Sequence, residues 1–306
     1  MTPLTEFVNL LSRQIPTDGT FPTAVAGVTL IRWSAPSEPM PVVFDPTVCL
    51  VVQGRKRVSA GTALYDYDRA RYLIASVAQP VMGAVIEASD AEPYLCVQID
   101  LDMREIADLA MRHPARLDAA VPASALSVNE TSPELLDAAA RLVALLARAE
   151  DLPALAPLVL REIHYRLLTG PAGGTLRHMA QADSRLNQIG RAVLWIRTHF
   201  RQACRIEQAA EVAGMSRSSF HLHFRAVTSL TPIEFRTQLR LQEARSRMVA
   251  DGMDAASAGF EVGYSSPSQF SRDYCRLFGM SPARDVGRLR AASRPAGAPG
   301  PGQGAS

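Results

Sequence analysis

The sequence predicts an α+β protein of two domains. A β-barrel or sandwich with accompanying helices comes first. An all-α domain with two helix-turn-helix units joined by a linker helix follows. Three observations lead there. Six short runs rich in β-branched residues recur between Val28 and Leu101 at intervals of about ten residues. Amphipathic helical patterns replace them from Met103 onward. In the last third a helix–glycine–helix pattern occurs twice, about fifty residues apart. The chain has 306 residues, 47% hydrophobic and 20% charged, enough for two cores without disulfide staples. That composition excludes disorder along the whole length.

The β elements are VTLIRW (Val28–Trp33), VCLVVQG (Val48–Gly54), RKRVSAG (Arg55–Gly61), RYLIAS (Arg71–Ser76), VMGAVIEA (Val81–Ala88) and YLCVQIDL (Tyr94–Leu101). Pro, Gly and Asp separate them. No helical pattern of about 10–15 residues lies between, which excludes a parallel βαβ sheet. Met103–Arg112 then reads as a short amphipathic helix. SPELLDAAARLVALLARAE begins a longer one, Pro133–Glu150, with Ser132 as N-cap, Pro133 at the first helical position and Leu135, Leu142 and Leu146 on one stripe. That stripe suits burial against the barrel or against a second protomer. Pro157–Leu168 continues in the same style, and the Pro/Gly cluster in Leu167–Thr175 is expected to end the region. The expected division is residues 1–170 for the β-rich domain, 171–183 for a linker and 184–292 for the helical domain. Residues 293–306, SRPAGAPGPGQGAS, read as a disordered tail.

Charge is divided unevenly along the chain. Ser184–Ser306 carries 17 Arg against 9 acidic residues, while residues 1–183 hold 15 basic and 21 acidic ones. A basic third on an acidic remainder points to a polyanion as partner of the C-terminal part alone. Every apolar run is interrupted by charge or Pro well short of the ~20 residues of a membrane span. The opening MTPLTEFVNLLSRQIP has no basic n-region and does not read as a signal peptide. Four scattered Cys without CxxC pairing predict a reducing, cytoplasmic setting and no structural zinc.

Ile206–Arg225 (IEQAAEVAGMSRSSFHLHFR) divides into a helix Ile206–Ala213, a turn at Gly214 and a second helix capped by Ser216. Ala210 is the small residue that two tightly crossing helices need. Phe220, Phe224 and Val227 fall at i, i+4 and i+7 as inward anchors, whereas Arg217, His221 and Arg225 share the outward face. Ala255–Arg276 repeats the scheme. Gly259 is its small residue, Gly263 its turn, Ser266 its N-cap and Pro267 its first helical residue, with Phe270, Tyr274 and Leu277 inward. Between the copies, Thr231–Gly252 reads as one helix, with a capping box of Thr231 and Glu234, Pro232 at its start and Gly252 at its end. Some 19 residues at ~1.5 Å each make a rod of about 28 Å, close to the ~34 Å turn of B-DNA. Such a rod fits two recognition helices in successive major grooves. Trp195 and Phe200 are expected in the core.

These motifs carry a family resemblance. From about Ser184 to Arg290 the chain resembles the DNA-binding domain of the AraC family of bacterial transcriptional regulators. The family signature G-[FY]-x-x-x-S-x-F-x-R-x-[FY]-…-F-G-x-[ST]-P stands here as Gly263-Tyr264, Ser268, Phe270, Arg272, Tyr274 and Phe278-Gly279-Met280-Ser281-Pro282. RLQEAR (Arg240–Arg245) matches the family's RLxxAR. The runs VCLVVQG, RYLIAS and PYLCVQIDL resemble the cupin-like β-barrel found on one branch of that family.

The resemblance implies a sequence-specific DNA-binding regulator without enzymatic activity, tuned by a small-molecule effector or a redox signal at the barrel. Its implied partners are double-stranded operator or promoter DNA, RNA polymerase and a second copy of itself, and not a membrane. Carried over by position, base contacts fall to Ser218 and His221 in the first recognition helix and to Ser268, Ser271 and Arg272 in the second. Arg217, Arg225 and Arg276 are read as phosphate contacts. Arg272, with a fork that fits guanine, is the expected main reader. Leu222, Ser229 and Cys275 stand where relatives commonly have Arg, Gly and Lys, which implies that the first unit reads fewer bases.

The rival reading is a non-metal cupin enzyme or ligand-binding protein whose helical domain serves assembly. A metal-dependent cupin is opposed by its histidines. His113, His164, His178, His199, His221 and His223 all fall outside the strand runs, so no metal or cofactor is expected. His221 and His223 also lack the i, i+4 spacing of a helical metal site. With no G-x-S-x-G elbow, Walker loop or dinucleotide fingerprint, no catalytic residue is assigned. Cys49 and Cys96, each inside a strand run, are the effector-pocket candidates. As small buried hydrophobes they are inert; as thiol sensors they need exposure and a lowered pKa.

Overall fold

The computed structural model describes residues 3–114, 124–202 and 205–292, so the tail expected at 293–306 lies outside the described residues. The chain forms two compact units. One comprises Met1–Trp195 and Ile206–Pro232, the other Ile196–Arg205 and Ile233–Ser306.

The first unit opens with helix α1 (Pro3–Gln14), which buries Phe7 and Leu11. Its strands are β1 (Gly19–Pro22), β2 (Val28–Trp33), β3 (Met40–Phe44), β4 (Thr47–Gln53), β5 (Arg55–Ala60), β6 (Ala63–Asp68), β7 (Arg71–Ala75), β8 (Gln79–Glu87), β9 (Tyr94–Asp100) and, after helix α2 (Met103–Arg112), β10 (Leu126–Glu130). They make two antiparallel sheets, of order β1-β2-β9-β4-β7-β10 and β3-β8-β5-β6. The core lies between the sheets. Cys49, Val51, Leu73, Tyr94 and Cys96 enter it from the first sheet, and Val58, Tyr67, Val81 and Val85 from the second. This is the flattened barrel the sequence predicts. β4 is buried along nearly its whole length because one face meets that core and α1 packs on the other side. Gly54, between β4 and β5, has φ +78°, and a Cβ there would sit 2.5 Å from the Glu87 carbonyl oxygen. Only glycine fits that turn.

Helices α3 (Pro133–Leu145), α4 (Leu152–Thr169) and α5 (Gly173–Ala180) follow. The Ser132 hydroxyl accepts from the Leu135 N–H at 3.2 Å, as the N-cap expectation requires. Leu135 and Leu142 are buried, but α3 stops at Leu145 rather than Glu150, leaving Leu146 half-buried at the C-cap. The Pro/Gly cluster makes a tight corner instead of an open linker. Gly170 ends α4 and Gly173 opens α5, where a Cβ would fall 2.1 Å from the Leu168 carbonyl oxygen. The glycines thus let α5 turn back onto α2 and α4. There it buries Leu176 and Met179, and Arg177 donates to the His113 carbonyl at 2.6 Å.

Helix α6 (Arg185–His199) comes next; Trp195 and Phe200 are half-buried rather than core residues. The first unit ends with α7 (Ile206–Ala213) and α8 (Arg217–Thr228), which the sequence division assigned to the helical domain. Two contacts hold them on the barrel. The Ala125 N–H donates to the Val227 carbonyl at 2.7 Å, and Gly61, at φ +58°, lies so near Ser229 that a Cβ would be 2.4 Å from its carbonyl oxygen. The second unit contains α9 (Pro232–Ala250), α10 (Ala255–Glu261), α11 (Pro267–Phe278) and α12 (Pro282–Ala292), around Leu241, Ala244, Met248, Val262, Phe270 and Tyr274. Among the described residues no helix is long and apolar enough to cross a membrane, and no group of three or more His, Cys, Asp and Glu is placed to hold a metal ion.

Candidate nucleic-acid interface

The first helix pair is built on small residues. Ala209, Ala210 and Ala213 are buried on α7, Gly214 turns at φ +68°, and the Met215 N–H donates to the Ala210 carbonyl at 3.0 Å. The Ser216 hydroxyl then caps α8 by accepting from the Ser219 N–H at 3.3 Å. Phe220 and Phe224 are buried edge to face at 5.3 Å, with Val227 buried below them. The anchors fix which side of α8 faces outward. Arg217, Ser218, Leu222 and Arg225 are exposed there, and His221 is half-buried against Phe220. Arg217 reaches Glu207 at 3.2 Å yet keeps 73% of its side chain in solvent.

The second pair repeats this construction. The Tyr264 N–H donates to the Gly259 carbonyl at 2.9 Å, and a Cβ on Gly259 would lie 3.0 Å from the Phe270 ring, so the small residue is required at the crossing. The Ser266 hydroxyl accepts from the Gln269 N–H at 3.4 Å, with Pro267 at the first position of α11. Phe270 and Tyr274 are buried, while Leu277 is half-buried. Ser268, Gln269, Arg272, Cys275 and Arg276 are exposed on the other face, and Ser271 is half-buried. Arg276 pairs with Asp273 at 2.7 Å, whereas Arg272 forms no ion pair among the described residues.

Most of the signature residues work inside this unit. Arg240 on α9 donates to the Phe200, Gly263 and Gln202 carbonyls at 2.6, 2.9 and 2.9 Å, tying the turn to the linker helix. Arg245 meets the wholly buried Asp285 of α12 through two hydrogen bonds of 2.6 and 2.9 Å, and the Tyr274 hydroxyl donates to the same carboxylate at 2.8 Å. The Arg245 guanidinium lies 4.7 Å from the Phe278 ring centroid. Ser268 and Arg272 are the members of the motif exposed on α11.

Each chosen side chain therefore lies on the outward side of one recognition helix: Ser218, His221, Arg217 and Arg225 on α8, and Ser268, Ser271, Arg272 and Arg276 on α11. Two exposed neighbours had been assigned no contact. Gln269 follows Ser268, and Leu222, 68% exposed, sits one turn beyond Ser218. Their helical spacing from the chosen residues was available in the sequence.

In the barrel, Cys49 and Cys96 are wholly buried free thiols. The exposure that a surface sensor needs is absent. The Cys49 thiol points at the Gln98 amide oxygen at 4.0 Å. Interaction with Cys96, helped by burial, holds the Cys49 thiol well above its usual range, and the same interaction draws Cys96 below its own against the effect of burial. A separate cavity of about 890 Å³ lies between α1 and α3–α4, lined by Phe7, Leu10, Leu136, Ala140, Arg141 and Arg166 among others, and neither cysteine reaches it.

Comparison with known proteins agrees with this arrangement. Residues 24–175 match the AraC-type transcriptional regulator N-terminus, and residues 209–286 match a helix-turn-helix domain. The RCS-specific HTH-type transcriptional activator RclR of Escherichia coli (strain K12) is 36% identical over 85 residues, 28% of this chain and 30% of that protein. The HTH-type transcriptional activator RhaS of Escherichia fergusonii is 31% identical over 111 residues, 36% of this chain and 38% of that protein. These matches thus span about a third of each relative. RhaS of Salmonella schwarzengrund is 26% identical over 232 residues, 75% of this chain and 77% of that protein. ToxT from Vibrio cholerae O395, bound to (E)-4-(8-methylnaphthalen-1-yl)but-3-enoic acid, has a similar fold, with TM-score 0.57 at 10% identity over 86% of this chain and 98% of that one.

Proposed function

This chain belongs to the AraC-type transcriptional regulators, and from that premise we propose that it binds operator DNA through α8 and α11 and that its barrel modulates the binding. The observation that carries the reading is the duplication. Two helix pairs with the same hydrogen-bonded turn each bury an aromatic pair and leave arginines outward, and they are joined by a 19-residue helix. Isolated arginines solvate any helix; outward arginines recurring in a duplicated helix-turn-helix supply phosphate contacts for two neighbouring grooves.

The division of labour follows from side-chain chemistry. Arg217, Arg225 and Arg276 neutralise phosphates, which gives affinity without sequence information. Arg272 presents two parallel N–H donors to the O6 and N7 of a guanine, flanked by the hydroxyls of Ser268 and Ser271. The first helix reads more weakly, through Ser218 and His221. A homodimer, with RNA polymerase as the responding partner in the cytoplasm, completes the proposal. Selection of genomic DNA fragments by the purified chain tests it. An enriched site of two half-sites about one helical turn apart supports the reading, and recovery of fragments with no shared sequence refutes it.

A further inference from the structure

The barrel interior holds a group of polar side chains that its packing does not explain. Cys49 on β4 lies opposite Gln98 on β9, and Val51 lies opposite Cys96, so the two thiols are diagonal neighbours on the same inward face. Around them the Tyr67 and Tyr94 hydroxyls are buried without a hydrogen-bond partner. An unsatisfied buried hydroxyl is destabilising, and phenylalanine at either position would avoid that cost. Lys56, the chain's one lysine, stands opposite Tyr67 and Val85, so its strand register turns it toward the same interior. Its ammonium lies 5.7 Å from the Phe44 ring centroid and favours the thiolate form of both cysteines. Two same-face thiols, two orphaned phenols and one cation are a costly way to fill a core.

We propose that Cys49 and Cys96 form a dithiol switch closed by a small two-electron oxidant of the peroxide class. Full burial selects for a reagent little larger than water. The Cys96 thiolate attacks one peroxide oxygen, the O–O bond breaks, hydroxide leaves and Cys96 becomes a sulfenic acid. The Cys49 sulfur then attacks the Cys96 sulfur and releases water, taking its oxygen from the sulfenic acid and its protons from the Cys49 thiol and the sulfenic hydroxyl. The dithiol loses two electrons and two protons overall, and the peroxide is reduced to two waters. The phenols and Lys56 stabilise the thiolate and the departing hydroxide. Closing an S–S bond of about 2.05 Å between these diagonal positions turns both side chains toward each other and alters the local twist of the paired strands β4 and β9 within a close-packed interior. β4 pairs with β7, and β7 with β10, whose approach segment carries the Ala125–Val227 hydrogen bond to α8. The DNA readout of this switch rests on the regulator reading, whereas the cross-link is observed independently of it.

The test exposes the full reduced chain to graded hydrogen peroxide and maps its peptides without reduction. The expected result is a Cys49–Cys96 cross-linked peptide that dithiothreitol reverses. A change in DNA affinity of about fivefold or more should accompany it and be absent from a Cys49→Val/Cys96→Val variant that retains Cys275. Cys49 and Cys96 still alkylatable after unfolding, when exposed Cys275 is already oxidised, would overturn the proposal. So would a cross-link that leaves DNA affinity unchanged in a chain that binds DNA when reduced. If the double variant fails to fold, Cys49→Ser alone serves, and formation of a stable Cys96 sulfinic acid in place of the cross-link is then expected.

Discussion

Replacing Asp285 with alanine should melt the second unit while leaving the barrel folded. Asp285 is wholly buried and its carboxylate accepts two hydrogen bonds from Arg245, at 2.6 and 2.9 Å, and one from the Tyr274 hydroxyl at 2.8 Å. The Arg245 side chain is 10% exposed, so without Asp285 its charge is stranded in the core beside the Phe278 ring. Removing one partner of such a pair costs about 3–5 kcal/mol, a large part of the ~5–15 kcal/mol that holds a typical domain. Tyr274→Phe removes a single bond and leaves the ion pair, so its cost is about 1 kcal/mol. Urea unfolding by circular dichroism, with hydrogen exchange resolving α11 and α12 from the barrel, measures both. Amide protection on α11 and α12 should collapse in Asp285→Ala and persist in Tyr274→Phe. If the two variants lose similar, small amounts, the network is a weak surface-like pair and the reasoning fails.

Three further outcomes follow from single residues. Ser229 caps α8 at φ +60°, a conformation that costs a non-glycine residue about 1–2 kcal/mol, so Ser229→Gly should stabilise the first unit by about 0.5–1 kcal/mol after its added unfolded-state entropy; a lower midpoint in urea contradicts this. Burial holds the His164 imidazole below its usual 6.5, and its Nδ1 has no partner. The unfolded chain therefore binds more protons near that pH. The stabilisation is present above pH 6.5 and is lost as pH falls, and His164→Gln should flatten that slope in thermal melts; an unchanged slope assigns it elsewhere. Leu222→Ala should lose about 1 kcal/mol, roughly fivefold, against one thymine-containing position through its methyl contact, with the salt dependence unchanged. A uniform loss across all sequences would place Leu222 outside the groove.

Elements with a strong local signal were legible from the residues alone. The Ser132, Ser216 and Ser266 caps, the prolines after two of them and the i, i+4 aromatic pairs Phe220–Phe224 and Phe270–Tyr274 all appear in the fold where their spacing put them. Short edge strands were not legible. MPVVF and ALYDYD alternate too briefly, and GTFP is held only by its pairing with β2. The corner at Gly170–Gly173 misled because glycine marks both open linkers and tight reversals, and only the packing of Leu176 and Met179 distinguishes them. Docking of α7–α8 on the barrel through Ala125 and Gly61 is a long-range contact with no periodic trace. The outward arginines were legible because Phe220, Phe224, Phe270 and Tyr274 fix the opposite face. Leu222 was read only as the loss of an arginine, and Gln269 was given no role, because the positional carry-over assigned contacts to neither.

The most direct measurement is the salt dependence of DNA binding by the intact chain and two variants, Arg225→Ala and Arg272→Ala, on a selected site. Binding should weaken steeply with salt, and Arg225→Ala should lower the log–log slope by about 0.9 while losing affinity equally for all sequences. Arg272→Ala should cost about 1–3 kcal/mol, roughly 5- to 150-fold, at one guanine position only. Salt-independent binding, or an Arg272→Ala variant that still discriminates that guanine, would contradict DNA recognition by these two helices.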